Sequence, residues 1–130
     1  DIDTTGLVLI TDDGAWSHRI TSPKKKCGKR YRVGLADSIQ EGAEAHFKQG
    51  VQLKDEAKLT RPAELNVLSS NEVLLTIHEG KYHQVKRMFA ALNNRVISLH
   101  REKVGSIQLD ESLEEGAWRY LTETEINSVS

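Results

Sequence analysis

Two segments far apart in the chain carry residue types able to do chemistry together. The first, Asp1-Ile2-Asp3-Thr4-Thr5-Gly6-Leu7, opens with two carboxylates. In the second, Glu79-Gly80-Lys81-Tyr82-His83-Gln84-Val85-Lys86-Arg87-Met88-Phe89, a turn closes and a helix begins with two adjacent cations and an apolar pair. The apolar pair can anchor that helix on a core while the cations face an anion outside it. A carboxylate meeting an amine across a cleft stays ionised there: burial alone raises a carboxyl pKa, and a cation within roughly 4–6 Å reverses the tendency. On residue types alone, Asp1 and Asp3 compete for the acid's part. Lys86 and Arg87 compete for the cation's, because helix neighbours point about 100° apart and only one readily faces the acid.

Other chemistries lack their residues. No Gly-x-Gly-x-x-Gly and no Walker loop occurs, so no nucleotide cofactor is expected. The single Cys27 gives neither a disulfide framework nor a cysteine pair for zinc. His18, His46, His78, His83 and His100 form no His-Glu-x-x-His and no i, i+4 pair within one helix, so no metal is expected. Ser17 and His18 are sequence neighbours pointing in different helix directions, a poor nucleophile–base pair.

The composition of the 130 residues, with 38% apolar and 28% charged, fits one globular domain over 1–130 with a real core. No apolar run approaches the roughly 20 residues of a membrane helix. No basic-then-apolar leader opens the chain, and a lone cysteine fits a reducing compartment, so a cytoplasmic protein is expected. The start on Asp1, running at once into Gly-Leu-Val-Leu-Ile, reads as a piece of a longer protein. A net charge of -1 argues against a nucleic-acid partner, but its distribution argues for one. Gly14 to Ala36 holds no acid while Arg19, Lys24, Lys25, Lys26, Lys29, Arg30 and Arg32 are basic; Asp110 to Glu125 is acidic but for Arg119. A segregated basic face is the footprint of a phosphate partner. The plainer alternative is a solvated loop.

The elements that must position these residues read as follows. Gly6 to Thr11 is a buried strand, Asp12-Asp13-Gly14 a turn, and Ala15 to Thr21 a short helix stopped at Pro23. A basic loop, Lys24 to Gly28, leads into a half-buried strand, Lys29 to Leu35, with Tyr31, Val33 and Leu35 on one face. Ser38 caps a helix to Lys48, Gly50 ends it, and Val51 to Leu53 is a short strand. Ala63 to Leu68 and Glu72 to His78 form a hairpin through Ser69-Ser70-Asn71. Gln84 to Leu92 is a helix, with Met88, Phe89 and Leu92 in the core. Strands follow at Arg95 to Leu99, Lys103 to Leu109 (interrupted at Gly105) and Trp118 to Leu121. Thr122 caps a terminal helix, with Glu125 completing a capping box. Trp16 and Trp118 are expected in the core. Without regular βαβ alternation, the predicted fold is α+β, a mainly antiparallel mixed sheet flanked by helices.

Four of these segments together resemble the ribosomal pseudouridine synthases of the RsuA type. Asp1 through Gly14 is similar to that family's catalytic aspartate segment, and Lys29-Arg30-Tyr31-Arg32-Val33 to its aromatic motif. Glu79 through Phe89 is similar to its basic motif, and Leu99 through Ile107 to the strand that follows. The likeness covers nearly the whole chain in order. Through Trp16-Ser17-His18-Arg19-Ile20-Thr21-Ser22-Pro23 it is greatest to members acting on small-subunit ribosomal RNA.

The resemblance implies part of a catalytic domain, without the N-terminal RNA-binding domain and the first catalytic strands. It implies that a specific uridine becomes pseudouridine with no cofactor. Asp1 then matches the essential aspartate, Tyr31 the aromatic lying against the base, and Lys86 the cation paired with the aspartate. Arg19, Lys24, Lys25, Lys26, Arg30, Arg87 and Arg101 are expected to contact RNA. The implied partner is ribosomal RNA or a ribosomal assembly intermediate, with no membrane and no nucleotide cofactor, and a monomer is expected. The rivals are a sibling acting on large-subunit RNA, a non-catalytic RNA-binding module, and a protein–protein module using the acidic stretch.

Overall fold

The computed structural model describes residues 4–21 and 27–129. Six strands form one sheet among the described residues: β1 (Thr5–Gly6), β2 (Lys29–Leu35), β3 (Glu64–Ser69), β4 (Glu72–Ile77), β5 (Val96–Val104) and β6 (Ile107–Gln108). Their order is β1-β5-β2-β4-β3, with β6 folding back onto β5. Only the β1–β5 pair is parallel. Four helices accompany them: α1 (Gly14–Thr21), α2 (Ala43–Gln49), α3 (Gln84–Ala90) and α4 (Glu123–Asn127). The architecture is the expected α+β one.

Two hydrophobic clusters hold it together. In β2 the alternation works as a strand's should, burying Val33 and Leu35 on one face. They join Leu65, Val73, Leu75 and Ile77 of the β3–β4 hairpin beneath α2 and α3. There Phe47 meets Phe89 edge-on, with ring centroids 5.0 Å apart. A second, smaller cluster gathers Trp16 and Ile20 of α1, Val104 of β5, Ile107 of β6 and Val129. Leu7, Leu9 and Leu121 are packed partly buried against it.

Several elements differ from their sequence reading, each for a local reason. The strand expected from Gly6 to Thr11 ends at Gly6, and Ile10 is 92% exposed. Pairing stops because the Leu7 carbonyl is taken by the Arg101 side chain instead of a neighbouring strand. The helix expected from Ser38 begins at Ala43, since Gly42 holds a left-handed φ of 86° that a helix interior does not accept. Gly50 ends it as expected. Val51 to Leu53 is not a strand: Val51 pairs locally with Thr60, whose hydroxyl accepts from the Val51 amide at 2.8 Å. The strands expected at Arg95–Leu99 and Lys103–Leu109 are one strand, β5, then a turn at Gly105 (φ 59°) and β6. Its polar middle stays in the sheet because Glu102 is paired, 2.8 Å from Arg30 Nε and 3.6 Å from Arg32 Nε. Trp118 to Leu121 forms no strand, and Trp118 is 73% exposed instead of core, stacked edge-on against Tyr120. Trp16 is core, at 5% exposure.

Candidate active site

Gly6 and Arg101 build one wall of a cleft. They are register partners in the parallel pair, with the Leu7 amide donating to the Arg101 carbonyl at 2.7 Å. The Arg101 guanidinium returns two bonds to the Leu7 carbonyl, at 2.8 and 2.6 Å from Nε and Nη2. Across the next pairing Arg101 faces Tyr31 of β2. A two-residue side-chain period places Lys29 on the same face as Tyr31, and both line the cleft. The opposite wall is the turn into α3, with Glu79, Lys81 and Gln84, and Ile77, Val85 and Leu99 supply an apolar part of the lining. The cavity measures about 360 Å³, within the range of small-molecule sites.

The turn into α3 is held by a buried network. Glu79, 7% exposed, accepts from the Arg61 amide at 2.6 Å and from Gln84 Nε2 at 3.0 Å. Gln84 in turn accepts from the Lys81 amide at 3.0 Å and reaches Met88 Sδ. The Lys81 ammonium bridges Glu56, at 3.1 Å, and the more distant Glu79, at 3.9 Å. Hydrogen bonding from Lys81, ahead of its charge and of Arg87, holds the Glu56 carboxyl below the usual range. His83 sits at the helix N-cap with a left-handed φ of 46° and its ring against Tyr82. His83 also lines the cleft.

The expected site residues separate into groups. Tyr31 and Arg101 meet in the cleft. Lys86 is half-buried on α3, has an interaction partner, and is not among the cleft's lining residues. Asp1, Lys24, Lys25 and Lys26 lie outside the described residues. Arg19, Arg30 and Arg87 are not among the cleft's lining residues. Arg19 donates to the Val129 carbonyl at 3.2 Å. Arg30 is in ion-pair contact with Glu102 without a linear hydrogen bond. Arg87 donates to the Lys54 and Tyr82 carbonyls at 2.6 and 2.9 Å and to Glu56 at 3.4 Å. The Arg87 guanidinium thereby ties α3 to the loop that carries Lys54 and Glu56.

Lys29 was missed as a site residue, although its signal was present: it stands two residues before Tyr31 in an alternating strand. Burial pushes its ammonium below the usual range; nearby Cys27 opposes the shift and the Arg101 guanidinium adds to it. Glu79 and Gln84 were also missed. Their spacing reads as a polar turn, and only burial shows that they organise it.

A family model for RNA pseudouridylate synthase matches residues 1–91. The chain is 66% identical over 129 residues to the ribosomal small subunit pseudouridine synthase A of Vibrio cholerae, covering 99% of this chain and 56% of the relative. To the Escherichia coli protein of that name it is 57% identical over 129 residues, with the same coverage. A solved structure described as a pseudouridylate synthase superposes with a TM-score of 0.98 at 58% identity, covering 100% of this chain and 56% of that one. The chain spans a little over half the length of the relatives it matches.

Proposed function

The chain belongs to the RNA pseudouridylate synthase family, and on that premise we propose that the protein containing it converts a uridine of small-subunit ribosomal RNA to pseudouridine. In that isomerisation the N1–C1′ bond breaks, the uracil turns over, and C5 joins C1′. The proton leaves C5 and N1 gains one, so atoms balance and nothing is oxidised. A base inside a folded RNA must leave its stack first, at a cost of a few kcal/mol. Tyr31 supplies a face for the displaced base, and base–aromatic stacking returns roughly 1–3 kcal/mol.

Asp1 is the ionised carboxylate that acts at the sugar and base, and Lys86 is the cation that keeps it ionised. Asp1 precedes the cleft residue Thr4 by three positions, which bounds their Cα separation at roughly 11 Å. Arg101 offers positive charge to the flanking backbone. The observation that carries this reading is convergence: Thr4–Val8, Lys29 and Tyr31, and the turn into α3 line one cleft although they lie far apart in sequence. Each belongs to a segment with chemistry-bearing residues.

The test is tritium release from RNA labelled at C5 of uridine, using the full-length protein on small-subunit and large-subunit transcripts. Release from the small-subunit transcript is expected. Release only from large-subunit RNA would move the substrate to the sibling class. RNA binding without release from either would leave a binding module.

A further inference from the structure

The cleft holds cationic charge that no described carboxylate answers. Lys29 makes no hydrogen bond or ion pair with any described residue, although it stands in the cleft wall and is only partly exposed. Another cation, Arg101 on the adjacent strand, acts on it and disfavours its charge. Arg101 is held by a neutral acceptor, the Leu7 carbonyl, so its charge is not neutralised by that contact. Thr4 adds a buried hydroxyl with no hydrogen-bond partner in the same wall. The cleft's described carboxylate, Glu79, is already engaged by the Arg61 amide, Gln84 and Lys81. Two like charges in a partly desolvated wall cost free energy in the empty protein and are offset when an anion arrives. A backbone phosphate is the anion that an RNA-binding cleft receives.

We infer that Lys29 and Arg101, with the Thr4 hydroxyl, form a phosphate clamp that receives one backbone phosphodiester of the nucleotide entering the cleft. This rests on the reading that the cleft takes RNA, and adds which residues fix the nucleotide's register against Tyr31. Arg101 cannot be probed cleanly, because its guanidinium also holds β1. Lys29 can, since no described group depends on it.

The experiment uses the full-length protein and a small-subunit ribosomal RNA transcript, with affinity followed by fluorescence anisotropy between about 50 and 200 mM salt. In Lys29→Met, affinity at low salt is expected to fall about tenfold. The slope of log K against log salt is expected to shrink by roughly 0.7, one single-strand phosphate contact. Lys29→Arg is expected to restore both. The melting temperature of Lys29→Met, and of Lys29→Gln made alongside it, is expected to equal or exceed that of the wild type, because a partly desolvated charge with no partner among the described residues has gone. An unchanged salt slope in a wild-type-active background overturns the clamp, as does a marked drop in melting temperature in both variants, which makes the lysine structural. Inorganic phosphate at fixed ionic strength is the free-anion arm. If it stabilises the wild type, loses that effect in Lys29→Met, and the RNA slope does not move, the site takes free phosphate and the proposal fails. A wild type that neither binds nor isomerises RNA would instead sink the proposed function, and the clamp with it.

Discussion

At Gly6 two strands pass so close that no side chain fits between them. A Cβ there would overlap the Arg101 backbone carbonyl, and the φ of +112° is one that L-residues rarely adopt. Gly6→Ala is therefore expected to destabilise the protein by at least about 2 kcal/mol in urea unfolding, and to loosen the wall that carries Arg101. Gly34 makes the contrast. Its Cβ would meet Ser98 Oγ, which can rotate away, and its φ is not strained. Gly34→Ala is expected to cost no more than about 1 kcal/mol. On the proposed function, chemistry at the same scale would rest on Tyr31 and Lys86. Tyr31→Ala in the full-length protein is expected to weaken transcript binding by roughly 1–3 kcal/mol, whereas Tyr31→Phe keeps the stacking face. Lys86→Ala is expected to lower tritium release on the order of a hundredfold, the scale of losing one preorganised charge-stabilising group. Normal turnover in that variant would remove Lys86 from the mechanism.

Elements are held by polar groups that hydrophobic pattern does not report. Glu79→Ala would leave the Arg61 amide and Gln84 Nε2 without their acceptor. It is expected to destabilise by about 1–3 kcal/mol and to reduce turnover by shifting the start of α3; Glu79→Gln should recover part of both. The terminal helix α4 was legible because a capping box is a local code. Thr122 accepts from the Glu125 amide at 3.1 Å, and the Glu125 carboxylate accepts from the Thr122 amide at 2.8 Å. Arg119 adds two bonds of 2.9 Å to the same carboxylate, and this contact, the largest cause, lowers the Glu125 pKa from 4.5 to about 2. A depressed carboxyl pKa means the stabilisation is present above 4.5 and is lost as pH falls toward about 2. Trp16 Nε1 donates to the Ile126 carbonyl at 3.0 Å, so its indole N–H resonance reports the helix. That signal is expected to move as pH falls through this window in the wild type and to lose the dependence in Glu125→Gln. The hairpin and β2 were legible for the same local reasons, turn residues and period-two alternation. The length of β5 was not, because it is set by Arg30 and Arg32 reaching Glu102 from another strand. Nor was the end of β1, which depends on a guanidinium supplied from 94 residues away. In the cleft the same division holds: Tyr31 and Lys29 share a readable face, while the Glu79–Gln84 network appears only in three dimensions.

On the scale of the whole molecule, the cleft lies where the two hydrophobic clusters meet. Ile77, Val85 and Leu99 reach it from the larger cluster, and Leu7 from the smaller. The two walls are thus anchored in separate cores and joined chiefly through β5, which carries Leu99 in one cluster and Val104 in the other. Regions with separate apolar support open with separate free energies. Trp16→Ala removes the largest side chain of the smaller cluster, and Phe47→Ala removes a fully buried ring of the larger; each is expected to cost about 3–5 kcal/mol locally. Native-state hydrogen exchange on the full-length protein separates their effects. In Trp16→Ala the Leu7 amide, bonded to the Arg101 carbonyl, is expected to lose protection while the amides of Val73 and Leu75 keep theirs. In Phe47→Ala the order is expected to reverse. On the proposed function, such independence would give the cleft a means to admit a bulky nucleotide: β1 could give way while the face bearing Tyr31 and α3 stays rigid. Equal loss of protection at both sets of amides in both variants would mean a single cooperative core, and entry would then require motion of the turn into α3 instead.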